Sequence, residues 1–241
     1  LEPEERIIVA LDVSSAEEMF RLLKKIGRSH CYVKVGMELF YQEGADIVRK
    51  LKAEGHAVFL DLKLHDIPHT VYRAMRGLAG IGADMVNVHA AGGSEMMKAA
   101  MEGLDEGAAG KRPVCLAVTQ LTSTDQNMLE NELLIRRPIN EVIAYYSETA
   151  FQSGLDGVVC SAWEAQDIKR QTSSSFLAVT PGIRLARDAA GDQKRVATPA
   201  RAAKLGSDFL VVGRSITAAE HPAEAFQRVA DEWGKSKING K

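Results

Sequence analysis

The sequence is short of the features that mark a secreted, membrane-spanning or nucleic-acid-binding chain. It has only three cysteines in 241 residues. Cys31, Cys115 and Cys160 each stand alone in an apolar stretch, with no CxxC pair, which excludes a disulfide framework and fits buried thiols in a reducing compartment. No run approaches the ~18 uninterrupted apolar residues of a membrane span. The opening stretch, LEPEERIIVALD, lacks the basic and apolar regions of an export signal, so the expected location is the cytoplasm and no membrane partner is expected. Charge of one sign is also lacking: the net charge is −2, and the only basic run is the tail KSKING. Nucleic acid is therefore not an expected partner. The first strand-like run leads into LDVSSAEE rather than GxGxxG, so the common dinucleotide fingerprint is missing. No linker or low-complexity segment divides residues 1–241, and 46% hydrophobic residues suffice for the core of one domain.

What the chain does have is a regular alternation. Short β-branched runs, RIIVALD (6–12), CYVKVGM (31–37), AVFLDLKL (57–64), DMVNVHAA (84–91), RPVCLAVTQLT (112–122), GVVCSA (157–162), FLAVTPGI (176–183) and FLVVGRSI (209–216), are each followed by a segment of helical period. Eight such units at about 30 residues apiece predict an α/β fold, a single-domain (β/α)8 TIM barrel, with an open doubly wound sheet as the alternative. GLAGIG (77–82) closes a helical segment and reads as a cap and turn rather than a phosphate loop. Two connections stand out as long or polar, one after LAVTQLT and one, RLARDAAGDQKRVA, after VTPGI. They are candidate lids or solvated surface loops.

The stretch DLKLHD (61–66) sets charges inside a strand, where an unpaired ion costs on the order of several kcal/mol to bury. Alternation along the strand offers a way out: Phe59, Asp61 and Lys63 share one face, and Val58, Leu60, Leu62 and Leu64 the other. In a barrel the aliphatic face meets the helices and the charged face points inward. Asp12, Lys34, Asn87 and His89 fall in the same inward phase near strand carboxyl ends, where barrel enzymes carry their active sites. Asp12, Lys34, Asp61, Lys63 and Asp66 then converge on one cavity, as a catalytic array or as a purely structural ion network. A Lys between carboxylates keeps its charge and suits proton donation better than Schiff-base formation. TPGIR (180–184) and VVGRSI (211–216) end the seventh and eighth strands, a frequent phosphate site in barrels, with Arg184 or Arg214 as the anion clamp. His65, Asp66 and His69 lie close together, but beside Lys63 and in a loop, so no metal is expected there.

These motifs, DLKLHDIPHT with Lys34 in YVKVGMELF, Asp12 closing IIVALD, TPGIR and VVGRSI, closely resemble the orotidine 5'-phosphate decarboxylase family in its bacterial form, along essentially the whole chain. DxKxxD alone is shared with a wider group that includes magnesium-dependent 3-keto-gulonate 6-phosphate decarboxylases and hexulose-phosphate synthases. Those relatives place an acidic metal ligand where this chain has Lys34. The resemblance implies decarboxylation of the nucleotide orotidine 5'-monophosphate to UMP, the last step of de novo pyrimidine synthesis, without cofactor or metal, by a homodimer whose active sites lie at the interface. It implies that Lys63 protonates C6 and that Asp61 lies beside the substrate carboxylate, with Lys34 and Asp12 holding the ribose. Asp66 and Thr70 would reach into the partner's site, and Thr124 would contact the pyrimidine. Gln193 would close over pyrimidine and phosphate, and Arg184, Gly213 and Arg214 would bind the phosphate.

Overall fold

Eight parallel strands pair in chain order, and the last pairs with the first: β1 Ile7–Ala10, β2 Tyr32–Gly36, β3 Ala57–Leu64, β4 Met85–His89, β5 Val114–Val118, β6 Gly157–Val159, β7 Leu177–Thr180 and β8 Phe209–Val212. The pairing Ile7↔Leu210 closes the barrel and rules out an open sheet. The protein is described here from a computed structural model, covering residues 2–186 and 195–238. The connecting helices within those residues are α1 Ala16–Ile26, α2 Met37–Glu43, α3 Asp46–Ala53, α4 Pro68–Ile81, α5 Gly93–Gly107, α6 Gln126–Asn131, α7 Ile139–Gln152, α8 Ala165–Gln171, α9 Pro199–Lys204, α10 Arg214–Thr217 and α11 Pro222–Ile238. Among the described residues no helix is long and apolar enough to cross a membrane.

Parallel strands in such a barrel are buried on both faces, and the core accordingly has two parts. Inside, Ile8, Phe59, Met85, Leu116, Val179 and Phe209 form a plug. Outside, Val9, Val33, Leu60 and Val86 pack against helix residues such as Leu22, Ile47, Met75 and Trp233. Leu62 and Leu64 join this outer layer, as the alternation in DLKLHD requires. The helical segment after β2 is two helices, because the chain breaks at Gly44 between α2 and α3. The last two strands are shorter than their apolar runs, and GRSI turns at once into α10. Gly82, at φ 93°, does end α4 as a cap.

The end of the barrel opposite the strand carboxyl termini is fastened by a repeated device. Asp84, Asp156 and Asp208 directly precede β4, β6 and β8, and each carboxylate accepts the backbone N–H of the preceding strand: Val58 at 2.7 Å, Cys115 at 2.7 Å and Ala178 at 2.8 Å. Each also pairs with a cation, Lys52 at 2.7 Å, Arg112 at 2.6 Å and Lys169 at 2.7 Å. On the outside, Gly103 and Gly107 of α5 let the backbone of α4 approach closely. A Cβ at either position would lie 2.2 Å from the Tyr72 carbonyl oxygen or 2.3 Å from that of Arg76. This contact fixes α4, and with it the turn that leaves β3.

Candidate active site

At the carboxyl ends of the strands the barrel opens into a cavity of about 730 Å³, the size of a small-molecule site. One wall is a row of alternating charges. Lys34 Nζ lies 2.9 Å from Asp12 Oδ1 and 3.6 Å from Asp61 Oδ2, and Lys63 Nζ lies 2.7 Å from Asp61 Oδ1. The row runs Asp12, Lys34, Asp61, Lys63 across three adjacent strands, β1, β2 and β3. Asp12 is open to solvent, whereas the Asp61 side chain is only 12% exposed. Burial pushes the Asp61 carboxyl up, but the two ammonium groups, with hydrogen bonds from Lys63 and Asn87, outweigh it and hold the group below its ordinary range.

Regular alternation does not by itself deliver this geometry. Strand β3 is in register with β4 at Leu60↔Val86 and again at Leu64↔Val88, so four steps on one strand match two on the other. Within that bulge Lys63 takes φ 51°, a left-handed conformation that costs a non-glycine residue about 1–2 kcal/mol. The ladder is interrupted there, and the Asn87 side chain replaces it. Its Oδ1 accepts the Lys63 backbone N–H at 2.8 Å, and its Nδ2 donates to Asp61 Oδ1 at 2.7 Å.

The opposite wall comes from β7 and β8, with Pro181, Gly182, Arg184, Gly213 and Arg214. Arg184 is buried, and its guanidinium donates to the Ile183 carbonyl at 2.8 Å. The base of the loop after β7 is closed by a two-residue bridge: Arg184 N–H donates to Ala197 O and Ala197 N–H to Gly182 O, both at 3.0 Å. Thus one side of the cavity offers carboxylates and ammonium groups, and the other a pair of guanidinium groups.

The sequence profile of the orotidine 5'-phosphate decarboxylase / HUMPS family matches residues 5–229. The chain belongs to this family. It is 61% identical to an orotidine 5'-phosphate decarboxylase of Bacillus caldolyticus over 228 residues, covering 94% of this chain and 93% of that one. A protein of the same name from Geobacillus kaustophilus is 60% identical over the same shares. Among solved structures, orotidine 5'-phosphate decarboxylase of Lactobacillus acidophilus superposes with a TM-score of 0.86 at 43% identity, covering 95% of this chain and 99% of that one.

In this member of the orotidine 5'-phosphate decarboxylase / HUMPS family, Asp12, Lys34, Asp61, Lys63, Arg184, Gly213 and Arg214 all line one cavity. Three others do not. Asp66 and Thr70 are exposed, in the turn after β3 and at the start of α4, and Asp66 accepts the Ile67 N–H at 2.7 Å. Thr124 is buried behind the cavity wall, its N–H donating to Leu121 O at 2.9 Å, while Thr122 and Ser123 occupy the wall itself. Thr124 thus lies one residue beyond the part of this loop that lines the cavity. Gln193 lies outside the described residues.

Several site residues escape the sequence reading. Asn87 shows there only as an inward polar residue, with nothing to say what it holds. Gln120 is buried and lines the cavity at the end of β5. Arg195 ties three loops together: it pairs with Glu164 after β6 and donates to Gln120 O at 3.4 Å and Leu121 O at 3.0 Å after β5. Glu164 in turn accepts the Ser161 N–H at 2.8 Å. Burial pushes the Glu164 carboxyl up in spite of Arg195, so this brace sits in a poorly solvated place. Cys160 also lines the cavity, but burial raises its thiol well above the ordinary range and leaves it a thiol, not a nucleophilic thiolate. Among the described residues no group of three or more His, Cys, Asp or Glu side chains is placed to hold a metal ion. Lys34 sits between the two carboxylates, Asp12 and Asp61, that a divalent ion would need to share.

Proposed function

We propose that this protein decarboxylates orotidine 5'-monophosphate to UMP and CO2 in pyrimidine biosynthesis, with Lys63 as the proton donor. The observation that carries the reading is the Asp12, Lys34, Asp61, Lys63 row, with Asp61 buried at its centre, facing two arginines across a cavity of nucleotide size. Its relatives, named as orotidine 5'-phosphate decarboxylases at 55–61% identity, support it.

Placed with its phosphate at Arg184, Gly213 and Arg214, the nucleotide spans the barrel mouth and brings its base to Lys63. Lys34 and Asp12 then hold the ribose hydroxyls. The bond from C6 to the carboxylate breaks, CO2 departs, and the electron pair stays on C6. Lys63 gives that carbon its proton, and solvent returns one to the amine. No carbonyl adjoins C6 to accept the charge, so the stabilisation is electrostatic, from a fixed ammonium in a site screened from water. Asp61 holds that ammonium on one side and faces the departing carboxylate on the other. Guanidinium contacts to the remote phosphate help position the reacting end.

Asp66 and Thr70 are exposed and do not line their own cavity, and Ile67 between them is 67% exposed. This supports a homodimer in which both serve the second copy's site. Three free, buried cysteines suit a cytoplasmic protein. The test is direct: purified protein with orotidine 5'-monophosphate and a chelator should show the ultraviolet change of conversion to UMP. Absence of turnover would sink the proposal, and activity lost to chelator would favour a magnesium-dependent lyase.

A further inference from the structure

We propose that Asn87 is a positioning residue that sets the aim of Lys63, by holding the lysine's backbone in its left-handed conformation and orienting the carboxylate its ammonium pairs with. The inference rests on the decarboxylase reading for its kinetic arm only.

The geometry is closed at both ends. Lys63 N–H can only donate, and the ionised Asp61 carboxylate can only accept. The Asn87 amide is therefore fixed in one orientation, with Oδ1 toward Lys63 and Nδ2 toward Asp61. Asp61 Oδ1 receives both Asn87 Nδ2 and Lys63 Nζ at 2.7 Å, so backbone, carboxylate and ammonium form one small ring through a single amide. Asn87 is 1% exposed, so water does not replace it readily.

The bulge explains the need. Between Leu60 and Leu64 the β3–β4 ladder lapses, and the Lys63 N–H would lose its partner at the residue whose φ is 51°. A lysine in an ordinary strand conformation would carry its ammonium on a different line from the backbone. Asn87 thus stabilises a conformation that the local sequence does not favour. It does not line the cavity, so its effect runs through Lys63 and Asp61 and not through contact with substrate.

The test uses Asn87→Ala, Asn87→Leu, which fills the space without hydrogen bonds, and Asn87→Asp, which keeps the acceptor but loses the donor. Three quantities are read below the melting temperature of each variant: kcat, the affinity for UMP, and the rate at which an amine-acylating reagent labels Lys63. A misaimed proton donor should cost about 10²-fold in kcat. UMP affinity should hold within about threefold, since binding groups are untouched. Lys63 should be labelled faster once its ion pair loosens. Unchanged kcat in all three variants, or a loss of kcat matched by UMP affinity with Lys63 labelling unaltered, would overturn the role. If wild-type protein itself does not turn over orotidine 5'-monophosphate, the decarboxylase reading fails, and the labelling rate still decides the role of Asn87.

Discussion

Lys63 Nζ and Asp61 Oδ1 lie 2.7 Å apart although the two residues are only two positions apart on β3. On a regular strand the Cα atoms of such a pair stand about 6–7 Å apart with both side chains on one face. Here the strand is not regular, since Lys63 takes a left-handed conformation within the bulge. Both side chains line the cavity at the mouth of the barrel. Removing the ammonium by Lys63→Ala is expected to lower kcat by about 10³-fold or more, because in the proposed mechanism it deletes both the proton donor and the fixed charge. UMP should still bind, through Arg184, Arg214, Lys34 and Asp12. A steady-state assay beside calorimetry reads both, and a variant with near-normal kcat would refute the assignment.

Asp66 and Lys63 should complement between subunits. In the proposed shared-site homodimer, mixing inactive Lys63→Ala and Asp66→Ala proteins gives hybrids with one intact site, for roughly a quarter of wild-type activity after full exchange. Exchange followed by mass spectrometry without recovered activity would place Asp66 outside a shared site.

Stability should depend on Asp61 in a defined pH window. Its carboxyl is held below the ordinary 3.8, so the folded state favours the charged form. That contribution is fully present above the ordinary value and is lost as pH falls through the lowered one. The melting temperature of wild type relative to Asp61→Asn should therefore be highest near neutrality and should fall below about pH 4. A difference that stays flat from neutral to acid pH would contradict the ion-pair account.

Arg195 and Glu164 should behave as one unit. Arg195→Gln and Glu164→Gln are each expected to lower kcat/KM, since either frees the Gln120–Leu121 backbone on the cavity rim, and the double variant should lose little more than the worse single one. Coupling in such a cycle is about 0.5–3 kcal/mol for residues in direct contact. Trp163 offers an optical check, because its indole donates to Val196 O at 3.1 Å, next to Arg195. The other tryptophan, Trp233, is buried elsewhere among core residues. Simple additivity with unaltered Trp163 emission would deny the brace.

Much of this was legible in the sequence, for physical reasons that also set the limits. The barrel follows from eight repeats of apolar run and helical period, and the inward charges from the two-residue period of strands. Arg214 and Arg184 follow from their places at the ends of the last two strands. The bulge at Lys63 left no trace, because no glycine or asparagine marks it and its cause lies across the sheet at Asn87. The place of Thr124 relative to the cavity was not legible, because it sits in a turn closed by its N–H to Leu121 O, where strand phase no longer applies. One signal was present and passed over: of the five Gly-x-Asp triplets in the chain, those at 82–84, 154–156 and 206–208 lead straight into a strand, whereas those at 44–46 and 103–105 lie in helical segments.

Those three aspartates also bear on how the barrel assembles. Each clamp ties a strand to its immediate successor, across 26 residues from Val58 to Asp84, 41 from Cys115 to Asp156 and 30 from Ala178 to Asp208. The contact of Arg6 with Asp208 O at the seam between β1 and β8 spans 202. Loop-closure entropy grows with the length enclosed, and contacts near in sequence form soonest. The chain thus has three local strand-helix-strand units that can consolidate as independent modules, β3 with β4, β5 with β6 and β7 with β8. The seam joining the first strand to the last is the slow, late event, and the natural first place for the ring to reopen.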